Sequence, residues 1–66
     1  MDIQVNGAAR SVAEAATVAA LLDEMQLTGK RLAVERNGEI VPRSRHGQTR
    51  LAAGDRLEIV VAVGGG

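Results

Sequence analysis

The chain has 66 residues, which is one domain at most, and 45% of them are hydrophobic, which excludes a disordered tail. Its eight basic and eight acidic residues cancel, so it lacks the basic surplus of a nucleic-acid-binding protein. It has no cysteine and no aromatic residue, which excludes disulfides and cysteine-based metal sites and leaves a small aliphatic core. Because such a core leaves no room for a deep substrate pocket, we expect a module that serves larger partners, not an enzyme.

Neither end of the chain shows a targeting or membrane signal. Residues 1–5 lack a basic start followed by an apolar run, and the longest apolar stretch, residues 59–63, is too short to span a bilayer. We therefore expect a cytoplasmic protein that binds neither membranes nor nucleic acids.

The first predicted elements are two strands joined by a tight turn. Met1, Ile3 and Val5 alternate with polar residues, which is typical of a half-buried strand. Asn6-Gly7 then favours a hairpin turn, and a second strand is expected to return through residues 8–12. Arg10 falls on the core-facing side of that strand, so we expect its charged end to reach the rim of the sheet.

One helix is predicted near residues 17 to 26. Thr17 is a suitable N-cap, and Gly29 is suited to a left-handed C-cap. The apolar residues between them recur with the spacing of one helix face, at Val18, Leu21, Leu22 and Met25.

Three further strands are predicted after the helix. The third contains Leu32 and Val34, and Asn37-Gly38 turns the chain into a short fourth strand that Pro42 ends. Residues 43–50 are expected to form a polar, irregular loop in which His46 is solvated. Leu51 is expected to tuck under the sheet before the turn at residues 54–55. In the last strand one face carries Leu57, Ile59, Val61 and Val63.

The order strand–strand–helix–strand–strand–strand predicts an α+β fold of the ubiquitin-like β-grasp type (ββαβββ). Two hairpins that flank one helix can bury it only against a shared face of one mixed sheet, with strands 1 and 5 parallel at its centre. We therefore predict a β-grasp domain over residues 1–63 and a flexible C-terminal glycine tail over residues 64–66.

The tail is the feature that points to chemistry, and from the residues alone the other interpretation is a frayed chain end. Three glycines directly after a strand extend about 10 Å and have no side chains, so they can thread a narrow tunnel. We expect the carboxylate of Gly66 to be the modified group, attacking the α-phosphate of ATP in a partner's active site, while Gly64 and Gly65 provide access. No residue of the chain is expected to be catalytic or to bind a metal.

A second expectation concerns the face of the last strand that points away from the core. Val60 and Ala62 lie on that face just before the tail, and Ala33 of the third strand could join them. An apolar patch beside the tail favours a docking surface for a partner protein.

Several segments closely resemble the ThiS family, the sulfur carriers of thiazole formation in thiamine biosynthesis. They are Val5-Asn6-Gly7, residues 17–22, Ile40-Val41-Pro42-Arg43-Ser44, Gly54-Asp55 and residues 59–66, which end in Val63-Gly64-Gly65-Gly66.

The resemblance implies a reaction cycle carried out by partner enzymes. A ThiF-type adenylating enzyme would use ATP and Mg²⁺ to adenylate Gly66. A sulfur donor such as a cysteine desulfurase would convert the adenylate to a thiocarboxylate, and thiazole synthase would take up the sulfur. The chain itself would bind no cofactor.

Two alternatives stay open at this point. One is a carrier of the same chemistry, such as the small subunit of molybdopterin synthase, although that family usually runs longer and contains aromatic residues. The other is a β-grasp module that binds partners without tail chemistry.

Overall fold

A five-stranded mixed sheet carrying one helix is the framework of the molecule. The computed structural model describes residues 1–62, so the predicted domain end at residue 63 and the glycine tail lie outside the described residues. None of the helices within residues 1–62 has the length and apolar character needed to cross a membrane. In chain order the elements are β1 (Asp2–Val5), β2 (Ala8–Ser11), α1 (Val18–Glu24), β3 (Leu32–Arg36), β4 (Glu39–Val41), a short 3-10 helix (Arg43–Arg45) and β5 (Arg56–Val61).

The strand order β2-β1-β5-β3-β4 places the first and last strands side by side. β1 and β5 run parallel with Val5 opposite Leu57, whereas β3 runs antiparallel to β5 with Val34 opposite Ile59. The two hairpins are therefore joined through β5 at the centre of the sheet. This arrangement confirms the predicted β-grasp topology.

The core lies between α1 and one face of the sheet, as the helical spacing of apolar residues in α1 and their alternation in the strands predict. The helix contributes its predicted apolar face, and Leu51 tucks in from the loop before β5, as expected. Arg10 is half-buried and directs Nη2 to within 4.0 Å of Glu24 Oε1 at the end of α1, which confirms that its head reaches the rim. The buried hydrophobic residues are Ile3, Val5, Val12, Val18, Leu21, Leu22, Val34, Val41, Leu51, Leu57 and Ile59.

The helix begins where predicted but ends earlier. The Thr17 hydroxyl accepts a hydrogen bond from the Ala20 amide at 3.1 Å, as an N-cap does. At the other end, the Gln26 amide donates to the Asp23 carbonyl and the Leu27 amide donates to Leu22 at 2.8 Å. Gln26 has φ 61°, so it takes the left-handed position of a Schellman motif. The prediction that Gly29 forms the left-handed C-cap is therefore wrong, and Gly29 belongs to the next turn.

The loop over residues 43–50 is ordered, and the prediction that His46 is solvated is wrong. His46 is only 8% exposed, and its Nε2 donates to the Val41 carbonyl at 3.1 Å. Its own carbonyl accepts from the Ala19 amide at 2.9 Å, which joins the loop to α1. The bond to Val41 spans five residues and the bond to Ala19 connects the loop with a distant segment, and neither has a sequence pattern that signals it.

Asparagine side chains from both hairpin turns bind the backbone of β5. Asn6 and Asn37 share φ 51°, as expected of Asn-Gly turns. Asn6 Oδ1 accepts from the Ile59 amide at 2.8 Å, and its Nδ2 donates to the Ile59 carbonyl at 3.1 Å. Asn37 Oδ1 accepts from the Arg56 amide at 2.9 Å. The turns therefore satisfy backbone groups of the central strand.

Asn6→Gly should destabilise the domain although glycine suits the turn. The substitution retains backbone freedom but leaves the Ile59 amide and carbonyl without their side-chain partner, at a cost of about 1–3 kcal/mol. Urea unfolding measures this loss. Ala15→Gly is the matched control, because Ala15 also has a left-handed φ of 61° and loses no side-chain hydrogen bond. Equal stability of Asn6→Gly and the wild type would contradict a structural role for the amide.

Candidate functional site

The glycine tail follows the end of β5, and we call Val61 and Ala62 the tail base. Val61 pairs with Leu32 of β3, and the Ala62 amide donates to the Arg31 carbonyl at 2.9 Å. The strand pairing therefore holds the chain up to the last described residue. Gly64, Gly65 and Gly66, the predicted tail and modified group, lie outside the described residues.

The three residues predicted to dock a partner lie together on the open face of the sheet. Ala33 pairs directly with Val60, which is 65% exposed. Together with Ala62 and neighbouring Arg31 and Leu32, they line a shallow depression of about 310 Å³. We call Ala33, Val60 and Ala62 the apolar patch. An exposed apolar surface beside the tail base is suited to a partner that takes up the tail.

An acidic pair lies next to this patch. Glu35 of β3 is directly opposite Glu58 of β5, and both are exposed. On the other side of Glu35, β4 contributes Ile40, which is 72% exposed. Like charges directly opposite each other destabilise a sheet, so folding does not explain this pair. The alternation of each strand places both glutamates outward, but only the β3–β5 register shows that they face each other.

A cleft of about 160 Å³ lies on the other side of the sheet, between α1 and the 3-10 helix. We call it the helix-side cleft. Its walls include Leu22, Leu27 and Leu32, and its rim carries Lys30 and Arg43. The Arg43 guanidinium donates to the Lys30 carbonyl at 3.0 Å, which fixes one side of the rim. The tail base thus lies between the apolar patch on the open face and a cleft with a basic rim on the other side.

Asp55 is the buried acidic group of the described core, and it lies away from the tail base. It accepts from Arg36 Nε and the Ala52 amide, both at 2.8 Å, and from Asn37 Nδ2 at 3.0 Å. Burial alone would raise the pKa of Asp55, but these hydrogen bonds outweigh burial and lower it below its ordinary value. Because Arg36 is at the opposite end of β3 from Leu32, this network stabilises the fold and is not part of the tail site.

The described residues form no site for a metal ion. Among residues 1–62 no three histidine, aspartate or glutamate side chains converge as metal ligands would. The one buried histidine is engaged by the Val41 carbonyl. What the described part places at the tail base is an exposed apolar patch and a cleft with a basic rim.

Comparisons with known proteins agree with this geometry. The model of the ThiS family matches residues 3–66. The sulfur carrier protein ThiS of Bacillus subtilis is 44% identical over 50 residues, which cover 76% of each chain. The crystal structure of the thiamine biosynthesis protein ThiS from Geobacter metallireducens superposes with a TM-score of 0.84 at 33% identity, over the whole of both chains.

A further similarity is to a longer protein. The thiazole synthase of Paramagnetospirillum magneticum is 46% identical over 66 residues, which are all of this chain but only 20% of that relative. The chain thus spans about a fifth of the length of this relative and of a second thiazole synthase, from Magnetococcus marinus. The family match and the whole-chain structural likeness confirm the resemblance predicted from the sequence. The chain belongs to the ThiS family.

Proposed function

We propose that the chain is a sulfur carrier of thiamine biosynthesis and that the carboxylate of Gly66 is its attachment point. The observation that carries this proposal is the family match, which extends through the three glycines to residue 66. The fold supports it because β5 is paired with β3 to its end, and the Ala62 hydrogen bond continues this pairing to two residues before those glycines. In this role the chain is not an enzyme, and it acts in the cytoplasm.

The chemistry requires the carboxylate to become an activated carbonyl. An α-carboxyl group has a pKa of about 3.3–3.7 and is ionised at neutral pH. One of its oxygens attacks the α-phosphorus of ATP, pyrophosphate leaves, and an acyl-adenylate forms. Sulfide-level sulfur from the donor attacks the carbonyl carbon, the bond to the AMP oxygen breaks, and the departure of AMP leaves a thiocarboxylate. Where the donor presents a persulfide instead, the departure of AMP leaves an acyl disulfide, and a thiol then reduces it to the thiocarboxylate and is itself oxidised to a disulfide with the donor sulfur. ATP and Mg²⁺ belong to the partner, and this chain contributes the narrow tail and its docking surfaces.

Three partners follow from this cycle: a ThiF-type adenylating enzyme, a sulfur donor such as a cysteine desulfurase, and thiazole synthase. The similarity of the whole chain to a segment of two thiazole synthases supports the last of these. Where a carrier and its acceptor occur within one polypeptide, the two are expected to act on each other.

Intact-mass spectrometry tests the proposed chemistry. The purified chain is incubated with the adenylating enzyme, MgATP and a sulfur donor, and we expect a gain equal to the mass difference between sulfur and oxygen. Fragmentation should place that gain on Gly66, and omission of ATP should abolish it. An unchanged mass would contradict the proposal and favour a β-grasp module that binds without covalent change.

The apolar patch is the surface that we propose for docking the adenylating enzyme. Val60→Asp should lower the adenylation rate about tenfold or more at limiting carrier, because an unpaired charge at an interface is costly to desolvate. The domain should stay folded, since Val60 is exposed. The matched control is Ala53→Asp, which adds the same charge at an exposed turn position before β5. Equal rates for both variants would mean that this enzyme docks elsewhere.

A further inference from the structure

The helix-side cleft is suited to a particular kind of occupant. Its volume of about 160 Å³ is well below the roughly 300 Å³ of small-molecule sites, so it does not suit a metabolite or nucleotide. It does suit a single apolar side chain. The Schellman turn at Gln26 shapes one wall, since it brings Leu27 back against Leu22.

The charge around the cleft defines the occupant further. Lys30 and Arg43 are exposed cations at its rim, and no acidic side chain lines it. The chain has zero net charge, so the two cations at the cleft rim contrast with the Glu35–Glu58 pair on the open face. Charge complementarity therefore favours an occupant that is negatively charged next to its apolar group.

The position of the cleft connects it with the tail. Leu32 lines the cleft and pairs with Val61 at the end of β5, and the adjacent Arg31 accepts from the Ala62 amide. The rim residue Lys30 directly precedes Arg31 in the chain, so a partner that takes up the residues after Ala62 approaches this rim.

We propose that the helix-side cleft receives an apolar side chain of a partner protein, with a neighbouring partner carboxylate held by Lys30 and Arg43. This inference rests on the proposed carrier function, since it assumes a partner at the tail base. It adds a second recognition site, with a basic rim, on the other side of the sheet from the Glu35–Glu58 pair. A partner bound at both sites would then contact the tail base from both sides of the sheet.

Two substitutions change the cleft in independent ways. Ala19→Leu fills it from α1, where a leucine suits the helix, and Lys30→Glu reverses the charge of an exposed rim residue. Arg50→Glu is the matched control, because it makes the same charge change at an exposed residue that does not line the cleft. Thermal melts establish that each variant is folded.

Binding is measured by calorimetry with the purified adenylating enzyme and, separately, thiazole synthase, without ATP. We expect Ala19→Leu and Lys30→Glu to weaken binding to at least one partner about tenfold, and Arg50→Glu to stay within about twofold. Unchanged affinity of both cleft variants for both partners would overturn the inference. An equal loss in Arg50→Glu would also overturn it, since general electrostatics would then explain the effect. The calorimetry contains no ATP, so its result does not depend on adenylation of Gly66. A failure of the Gly66 chemistry is detected by the intact-mass experiment instead.

Discussion

Deletion of Gly66 should abolish sulfur transfer and leave the melting temperature of the chain unchanged. The fold should not respond, because the buried hydrophobic residues of the described core lie between Ile3 and Ile59 and a glycine has no side chain to bury. The chemistry should respond, because deletion withdraws the carboxylate by about 3.5 Å. A misplacement of about 1 Å can already cost a hundredfold in rate.

Two further variants test the length and the width of the tail separately. An alanine added after Gly66 moves the carboxylate beyond its working position, whereas Gly65→Val keeps the length but widens and stiffens the tail. ATP–pyrophosphate exchange with the adenylating enzyme is measured beside a thermal melt for each variant. All three variants should lose ATP–pyrophosphate exchange, and their melting temperatures should equal that of the wild type. Wild-type exchange by the Gly66 deletion would rule out the carrier proposal.

The sheet could be predicted because its signals are local. Period-two alternation identified the strands, and the two Asn-Gly pairs placed the hairpins. Once two hairpins flank one helix, burial of that helix leaves few topologies, so the parallel β1–β5 pair followed. The apolar patch could be predicted for a similar reason, because alternation in β5 alone places Val60 outward.

The parts that were missed depend on hydrogen bonds and a strand register that no sequence pattern signals. His46 is buried through bonds to Val41 and Ala19, and neither partner is recognisable from the loop sequence. Gln26 takes the left-handed cap although glycine usually does, so the sequence pointed to Gly29 instead. The Glu35–Glu58 pair requires the strand register. Sequence patterns therefore predicted the elements, whereas their side-chain networks emerge only from the assembled fold.

Asp55 provides the second large expected effect. The side chain is 6% exposed and binds the Arg36 guanidinium, the Asn37 amide group and the Ala52 amide at once. It thereby ties the turn before β5 to the end of β3 and to the hairpin that follows. Charged hydrogen bonds of this kind contribute more than neutral ones, and removing the acceptor leaves its donors unpaired.

Asp55→Ala should destabilise the domain by about 2–3 kcal/mol, a value reduced from that of a fully buried pair because Arg36 is partly exposed. A domain of this length has a total stability of about 3–10 kcal/mol, so a large share is lost. We expect the melting temperature to fall by about 10 °C or more. Glu58→Ala is the control, because it also removes one acidic residue but relieves the repulsion from Glu35. Equal melting temperatures of the two variants would contradict the role of this network.

The effect of Asp55→Ala on the unfolding free energy should depend on pH, which a loss of packing alone would not cause. The pKa of Asp55 is lowered in the folded chain from its ordinary 3.8, so the network stabilises the fold fully at pH values above that ordinary value. This stabilisation is lost as the pH falls through the folded pKa, where the carboxylate becomes protonated. The difference in unfolding free energy between wild type and Asp55→Ala should therefore be constant from pH 7 to about pH 5 and shrink below about pH 4. Urea unfolding of both proteins across this range measures it. A difference that stays constant to the lowest pH would show that the Asp55 charge contributes nothing, and that the variant is destabilised by lost packing alone.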